Sequence, residues 1–152
     1  VSALLHDVGK IGIDDLILKK PSALTDEEFG VMKTHPERGA KIMGRIPQMK
    51  DIIPGIRFHH ERWNGSGYPL GLRGEEIPMQ ARIIAVADTF DAMTTQRPYQ
   101  KALTPEEAVV RINDLKSVGL DPEVVEAFNR AYEAGELRQV PAARVPEPVA
   151  VR

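Results

Sequence analysis

The sequence predicts an all-α fold, and three observations lead to that class. Between Met79 and Thr95 the apolar residues Ile83, Ile84, Val86, Ala87, Phe90 and Met93 wrap much of a helical circumference, the mark of a central helix. Thr25-Asp26-Glu27-Glu28 and Thr104-Pro105-Glu106-Glu107 both have the order of a capping box, a threonine with a glutamate three positions on. No segment carries the period-2 alternation of a half-buried strand.

Taken in order, residues 1–8 read as a buried helix ending at Gly9, since glycine suits a left-handed helix C-terminus. The chain opens Val1-Ser2-Ala3-Leu4-Leu5, with no Met and no charged leader, so the expectation is a helix that begins upstream in a longer protein. Ile11, Ile13, Leu16, Ile17 and Leu18 continue apolar contact through an irregular connector closed by Lys20-Pro21. Thr25 opens a short helix carrying Phe29 and Met32. His35-Pro36-Glu37 opens the next, with proline at the first position, running to about Arg45. Ile52, Ile53, Ile56 and Phe58 predict a helix kinked near Pro54-Gly55 and ending in His59-His60-Glu61. Residues 61–78 crowd Gly65, Gly67, Gly71 and Gly74 with Pro69 and Pro78 and have no regular period. Trp63, Tyr68, Leu70 and Leu72 give this loop side chains to pack with, so it reads as ordered and functional. The central helix follows and is closed by Arg97-Pro98-Tyr99. Thr104 opens a helix to about Val118, and Asp121-Pro122 opens the last, ending near Gly135. Domain structure is one helical unit over residues 1–135, and a proline-spaced tail over 136–152 (Pro141, Pro146, Pro148) expected to be disordered.

At 152 residues the chain is long enough for one domain with a real core. The 20 Lys and Arg against 22 Asp and Glu leave no basic stripe for DNA. There is no cysteine, which excludes disulfides, zinc-thiolate sites and thiol chemistry and fits the cytoplasm. No apolar run approaches the roughly 20 residues that span a bilayer.

Chemistry concentrates at the histidines. His6, His35, His59 and His60 are the four in the chain, and each falls at an expected helix boundary, where side chains can converge on one end of a bundle. Asp7 adjoins the first, and Asp88 lies inside the apolar central helix, where an unpartnered carboxylate is costly. Singly, His35 suits a helix cap or a core histidine, and Asp88 a bond to a neighbouring helix. Together they suit metal. Adjacent helical residues point about 100° apart, so the doublets His6-Asp7 and His59-His60 splay and suit two ions better than one. A carboxylate can bridge two metals and an imidazole cannot, which makes Asp7 the best-placed bridge. Two metals about 3.5–4 Å apart form a clamp for in-line attack at phosphorus, and Lys10 can hold the phosphate. Asp91, one turn beyond Asp88, is left open between support for the site and a helix cap.

These residues resemble the HD-GYP family, a branch of the HD-domain metal-dependent phosphohydrolases. The likeness covers roughly residues 3–130 and is carried by His6-Asp7-Val8-Gly9-Lys10-Ile11-Gly12, His35-Pro36-Glu37, His59-His60-Glu61-Arg62-Trp63-Asn64-Gly65-Ser66-Gly67-Tyr68-Pro69, Ala87 to Met93, and Arg97-Pro98-Tyr99. The resemblance implies an HD-domain helical bundle and two or three divalent ions, often iron or manganese. It also implies hydrolysis of the bacterial second messenger cyclic di-GMP to pGpG, and in some members to GMP. On that basis His6, Asp7, His35, His59, His60 and Asp88 are metal ligands, with Asp7 bridging. Asp7 and Lys10 carry the chemistry, with Lys10 against the scissile phosphate. Gly67, Tyr68 and Pro69 form the loop that names the family, Tyr68 lies against the ligand, and Arg97 reaches a phosphate. Partners implied are a sensor or receiver domain on the N-terminal side and diguanylate cyclase domains.

Three departures qualify the likeness. Family members carry a further histidine, and some a glutamate, on helices upstream of the His-Asp pair, outside this sequence, so the chain alone is expected to bind metal weakly and to have little activity. Asn64 stands where aspartate is common, and Gln100 where a basic residue often helps with the ligand. The other readings are an HD hydrolase of another cyclic nucleotide and a module that binds cyclic di-GMP without turnover.

Overall fold

A computed structural model of the chain describes residues 1–96 and 101–137. Among the described residues eight α-helices follow one another: α1 (Ser2–Leu5), α2 (Asp15–Leu18), α3 (Asp26–Met32), α4 (His35–Met43), α5 (Ile53–Phe58), α6 (Met79–Thr94), α7 (Pro105–Asp114) and α8 (Pro122–Glu133). Short 3-10 segments occupy Val8–Gly12, Pro47–Ile52 and Gly74–Glu76. Among the described residues there is no strand, only an isolated bridge between Lys116 and Leu120. No described helix is long and apolar enough to cross a membrane.

The helix starts follow their local chemistry. Thr25 and Thr104 accept from the amides of Glu28 and Glu107, whose carboxylates in turn take the threonine amides, so both predicted capping boxes are formed. Asp121 caps α8 by accepting from Glu123 and Val124, and its other oxygen takes a 2.8 Å hydrogen bond from Arg82. Pro54 sits in the first turn of α5, where no amide is needed, so that helix starts at the proline instead of kinking there.

α6 is the element the others pack around. Val86 joins Ile112 of α7 and Val124 and Val125 of α8 in one buried cluster, with Leu120 between the last two helices and Phe90 and Phe128 against it. On the other side α5 packs on α6, and α4 packs on both α5 and the 8–12 turn. Ile56 and Ile84 are buried on that side, at 0–4% exposure.

Three expectations at the N-terminal end are corrected. The first helix is one turn, not eight residues, and none of it is buried: Leu4 is 88% exposed. Of the connector's apolar residues only Ile13 is buried, while Ile11 and Leu16 lie in solvent. Gly9 is not a left-handed cap; it sits inside the 3-10 turn, in the ordinary negative-φ region. Its reason is space. A Cβ there would lie 1.9 Å from the His35 carbonyl oxygen and 2.5 Å from the Gly39 amide nitrogen. Backbone therefore meets backbone at Gly9, and that contact sets Asp7 beside His35. Arg97 and Gln100, and the tail beyond residue 137, lie outside the described residues.

Candidate metal centre

Each histidine arrives from a helix terminus. His6 follows α1, His35 opens α4, and His59 and His60 follow α5. Three of them share one local device. The Nδ1 of His6, His35 and His59 lies 2.7–2.8 Å from the carbonyl oxygen three residues earlier, those of Ala3, Met32 and Ile56. A carbonyl only accepts, so each Nδ1 carries the proton and each Nε2 of a neutral ring presents a lone pair. The helical backbone thus fixes tautomer and ring direction together, as an outer support does for metal-binding imidazoles.

The Nε2 atoms point inward. Those of His35 and His59 face each other at 3.4 Å in the interior, and with both Nδ1 atoms protonated neither can donate to the other. Asp7 Oδ1 lies 3.3 Å from His35 Nε2 and 4.0 Å from His59 Nε2. It is a buried oxygen without a hydrogen-bond donor. Lone pairs converging without a proton between them are repulsive unless a cation sits among them. One ligand atom each from Asp7, His35, His59 and His60 falls within 4.8 Å of the others. Ligands about 2.0–2.2 Å from a shared ion lie roughly 3–3.5 Å from one another, a range met by the 3.3 and 3.4 Å separations about His35 Nε2.

Asp7 faces two ways. Its Oδ2 takes a 2.5 Å hydrogen bond from Lys10 Nζ and lies 3.4 Å from His6 Nε2. His6 Nε2 is in turn 3.5 Å from Asp88 Oδ1. The six predicted ligands are therefore brought together in two adjoining groups that share Asp7. Asp91 lines a small 180 Å³ cavity beside His6 and Asp88, and its carboxylate accepts from Thr95 at the end of α6.

The electrostatics favour the neutral form at His59 and His60 and the ionised form at Asp7 and Asp88. Burial pushes His59 down to about 4 and His60 down to about 3, helped by the neighbouring histidines. Burial alone would raise Asp7, but the facing His35 edge and the Lys10 ammonium outweigh it and hold the carboxyl well below the ordinary range. Lys10 donates directly to Oδ2, and His6 adds a smaller lowering contribution. Asp88 and His6 favour each other's charged forms, the acid lowered and the imidazole raised.

The Gly/Pro-rich loop is ordered and folds back onto this centre. A Cβ on Gly67 would lie 2.3–2.5 Å from the backbone of Arg62, Glu61 and His60, so only glycine passes there. The Tyr68 amide donates to the His60 carbonyl at 3.2 Å, and the Tyr68-Pro69 bond is cis. The Tyr68 ring stacks on His60, and burial pushes its phenol up to about 12. Asn64 closes a turn by accepting from the amide and hydroxyl of Ser66, a role that asks for a side-chain oxygen and no charge.

Sequence reasoning gave Glu61 no role. The residue is 3% exposed, and its carboxylate accepts from three successive amides, Leu70, Gly71 and Leu72, at 2.7–3.1 Å. The signal was its place: an acid between two histidines and a glycine-rich loop, where unpaired amides need an acceptor. Phe29, Lys33, Arg62 and Thr89 were likewise passed over, and all four line a cleft of about 450 Å³ that also includes His59, His60, Tyr68 and Asp88.

The sequence profile of the HD domain family matches residues 1–124. The chain belongs to the HD domain family. A cyclic di-GMP phosphodiesterase of Thermotoga maritima is 50% identical over 129 residues, covering 84% of this chain and 35% of that protein. The cyclic di-GMP phosphodiesterase response regulator RpfG of Xanthomonas campestris pv. campestris is 46% identical over 134 residues, covering 86% and 35%. The crystal structure of a cyclic GMP-AMP-specific phosphodiesterase of Vibrio cholerae has the same HD-domain fold, with a TM-score of 0.67 and 23% identity over 89% of this chain and 37% of that one. The chain thus spans about a third of the length of these curated relatives.

Proposed function

We propose that this HD domain hydrolyses cyclic di-GMP with two divalent ions, iron or manganese, giving the linear dinucleotide pGpG. The observation that carries the reading is the convergence of His35 Nε2, His59 Nε2 and Asp7 Oδ1 with no proton to share among them. His35, His59, His60 and Asp7 would hold one ion, and His6, Asp88 and Asp7 the other. Bound divalent ions supply Lewis-acid activation of water and charge compensation at phosphorus.

The chain's own residues do the rest. Asp7 stays ionised beside Lys10 and offers one oxygen to each group. The His6, His35 and His59 rings are fixed by their carbonyl partners, so the site is preorganised before metal arrives. Lys10 Nζ stands at the edge of the centre, free to pass from Asp7 to a phosphate oxygen once Asp7 is ligated. Tyr68 gives a flat apolar face beside His60 for a purine, as aromatic platforms do in nucleotide sites. Arg97 is retained as a second phosphate contact on the strength of the family resemblance. The Thermotoga and Xanthomonas relatives support the substrate, and the response-regulator name of the latter supports a receiver domain in the full protein.

The test is to load the full-length protein with Fe(II) or Mn(II) under anaerobic conditions and offer cyclic di-GMP, 3'3'-cGAMP and cyclic di-AMP. Metal-dependent formation of pGpG from cyclic di-GMP is expected. Turnover of another member of the panel in preference would reassign the substrate, and tight binding without a product would make the domain a receptor.

A further inference from the structure

The cleft beside the metal centre carries two cationic side chains that the proposed reaction has not used. Lys33, at the C-terminal end of α3, and Arg62, at the start of the loop, both line it. Among the described residues neither has a carboxylate partner, unlike Lys10, Lys20, Arg57 and Arg82, each paired within 2.8 Å. Lys33 Nζ is held instead by ring faces, 4.6 Å from the Phe29 centroid and 5.8 Å from that of Tyr68. A cation–π contact positions an ammonium without neutralising it. The Arg62 guanidinium lies over Gly119, where the missing side chain leaves it room.

Position makes these charges informative. Tyr68 touches His60 on one side and Lys33 on another, so Lys33 stands one ring away from the centre. Lys10 stands beside Asp7. The centre is therefore flanked by one ammonium tied to its carboxylate and by a pair of cations left open to the cleft. Unpaired cations lining a cleft, beside an aromatic face, are a site for an anion attached to a ring system.

We infer that Lys33 and Arg62 bind the second, non-scissile phosphate of a dinucleotide substrate. This inference rests on the phosphodiesterase reading of the centre. Such a substrate carries two phosphodiesters, and hydrolysis takes place at one. The other stays anionic throughout and enters the same cleft. The metal centre and Lys10 are engaged at the reacting phosphate, which leaves Lys33 and Arg62 as the described cleft cations for its twin. The site then selects for dinucleotides over esters with a single phosphate.

The experiment compares Lys33→Ala and Arg62→Ala with the wild type, in the metal-loaded full-length protein, on cyclic di-GMP and on bis(p-nitrophenyl) phosphate, which has one phosphodiester. Lys41→Ala, an exposed lysine on α4 away from the cleft, serves as the charge control. Loss of a charge-assisted hydrogen bond is expected to raise KM for cyclic di-GMP about tenfold in each variant. The ratio of kcat/KM for the dinucleotide to that for the simple ester falls by a similar factor, Lys33→Arg restores most of it, and Lys41→Ala leaves it unchanged. Equal losses on both substrates, or a ratio that does not move, overturn the inference while leaving the phosphodiesterase reading intact. A wild type that cleaves the simple ester and no cyclic dinucleotide removes the substrate reading, and this inference falls with it.

Discussion

The phenol ring of Tyr68 lies on the His60 imidazole with centroids 4.8 Å apart and planes 26° from parallel. That stack ties the loop that would hold a base to the residue that would hold a metal. Tyr68→Ala is expected to raise KM for cyclic di-GMP by about tenfold or more, because one aromatic platform contributes roughly 1–3 kcal/mol per base. Metal content by elemental analysis should stay near the wild-type level. Tyr68→Phe keeps the ring and should lie much closer to wild type in KM. A large loss in the Phe variant would assign the work to the hydroxyl.

Glu61 is what keeps that stack in register. Three amides converge on its buried carboxylate, and each amide left unpaired costs about 1–3 kcal/mol. Glu61→Ala should therefore lower stability by at least about 3 kcal/mol, in sum over the three. The amides of residues 70–72 should exchange with solvent much faster, and KM should rise through the displaced Tyr68. Glu61→Gln keeps one acceptor oxygen and should fall between. Hydrogen exchange resolved to residues 61–78 is the deciding measurement, since it separates a loosened loop from a general loss of fold.

Gly9 acts at a distance from any ligand atom. A methyl group there would overlap the His35 carbonyl and the Gly39 amide, which are backbone and cannot rotate away. Gly9→Ala should destabilise by roughly 1–3 kcal/mol or more, the usual range for overpacking. Because the 8–12 turn must lift off α4, Asp7 should move from His35, and metal affinity should drop beyond what the melting temperature alone would imply.

Much of this was legible in the letters. The capping threonines, the proline starts and the acid-capped last helix are local devices, readable within four residues, and all were found where expected. The gathering of His6, Asp7, His35, His59, His60 and Asp88 was legible because boundary histidines have few other reasons to recur. The reason for Gly9 was not, because a close approach depends on a partner 26 residues away, whereas a left-handed cap is a property of the residue alone. Glu61 was missed for the same reason: its partners lie 9–11 residues ahead in a loop without a period. The carbonyls that orient three of the histidines follow a spacing of three residues, but they become visible only once a helix is known to end there.

Asp7→Asn tests whether the carboxylate is shared between two groups. The amide keeps the volume and loses the charge, and its NH2 would face either Lys10 or the imidazoles. Retained metal should fall below half of the wild-type content, and hydrolysis should be lost. His35→Ala should empty only the group it belongs to, so about half of the metal should remain. Chelation of the wild type should lower its melting temperature, since metal bound to the folded state alone stabilises it by mass action.

The pH dependence of the metal-free protein follows from the signs of the histidine shifts. His59 and His60 are pushed from 6.5 down to about 4 and about 3, chiefly by burial. In the unfolded chain both take up a proton near pH 6.5; in the folded protein they resist it. The unfolded state therefore binds more protons below pH 6.5, and stability falls as pH drops from about 6.5 toward 4 and on to 3. His6 works in the opposite direction. Its contact with Asp88 raises it, so its contribution is fully present below its unfolded value and is lost as pH rises through the folded one. Two large downward shifts outweigh one smaller upward shift, and the net loss on acidification is of the order of a few kcal/mol at about 1.4 kcal/mol per pKa unit. Chemical denaturation at pH 7.5, 5.5 and 4.5 after chelation should show a progressive fall in midpoint. His60→Gln, which removes the larger of the two shifts, should flatten that fall. A midpoint that stays level from pH 7.5 to 4.5 in the metal-free wild type would mean that these imidazoles are not held neutral by the fold.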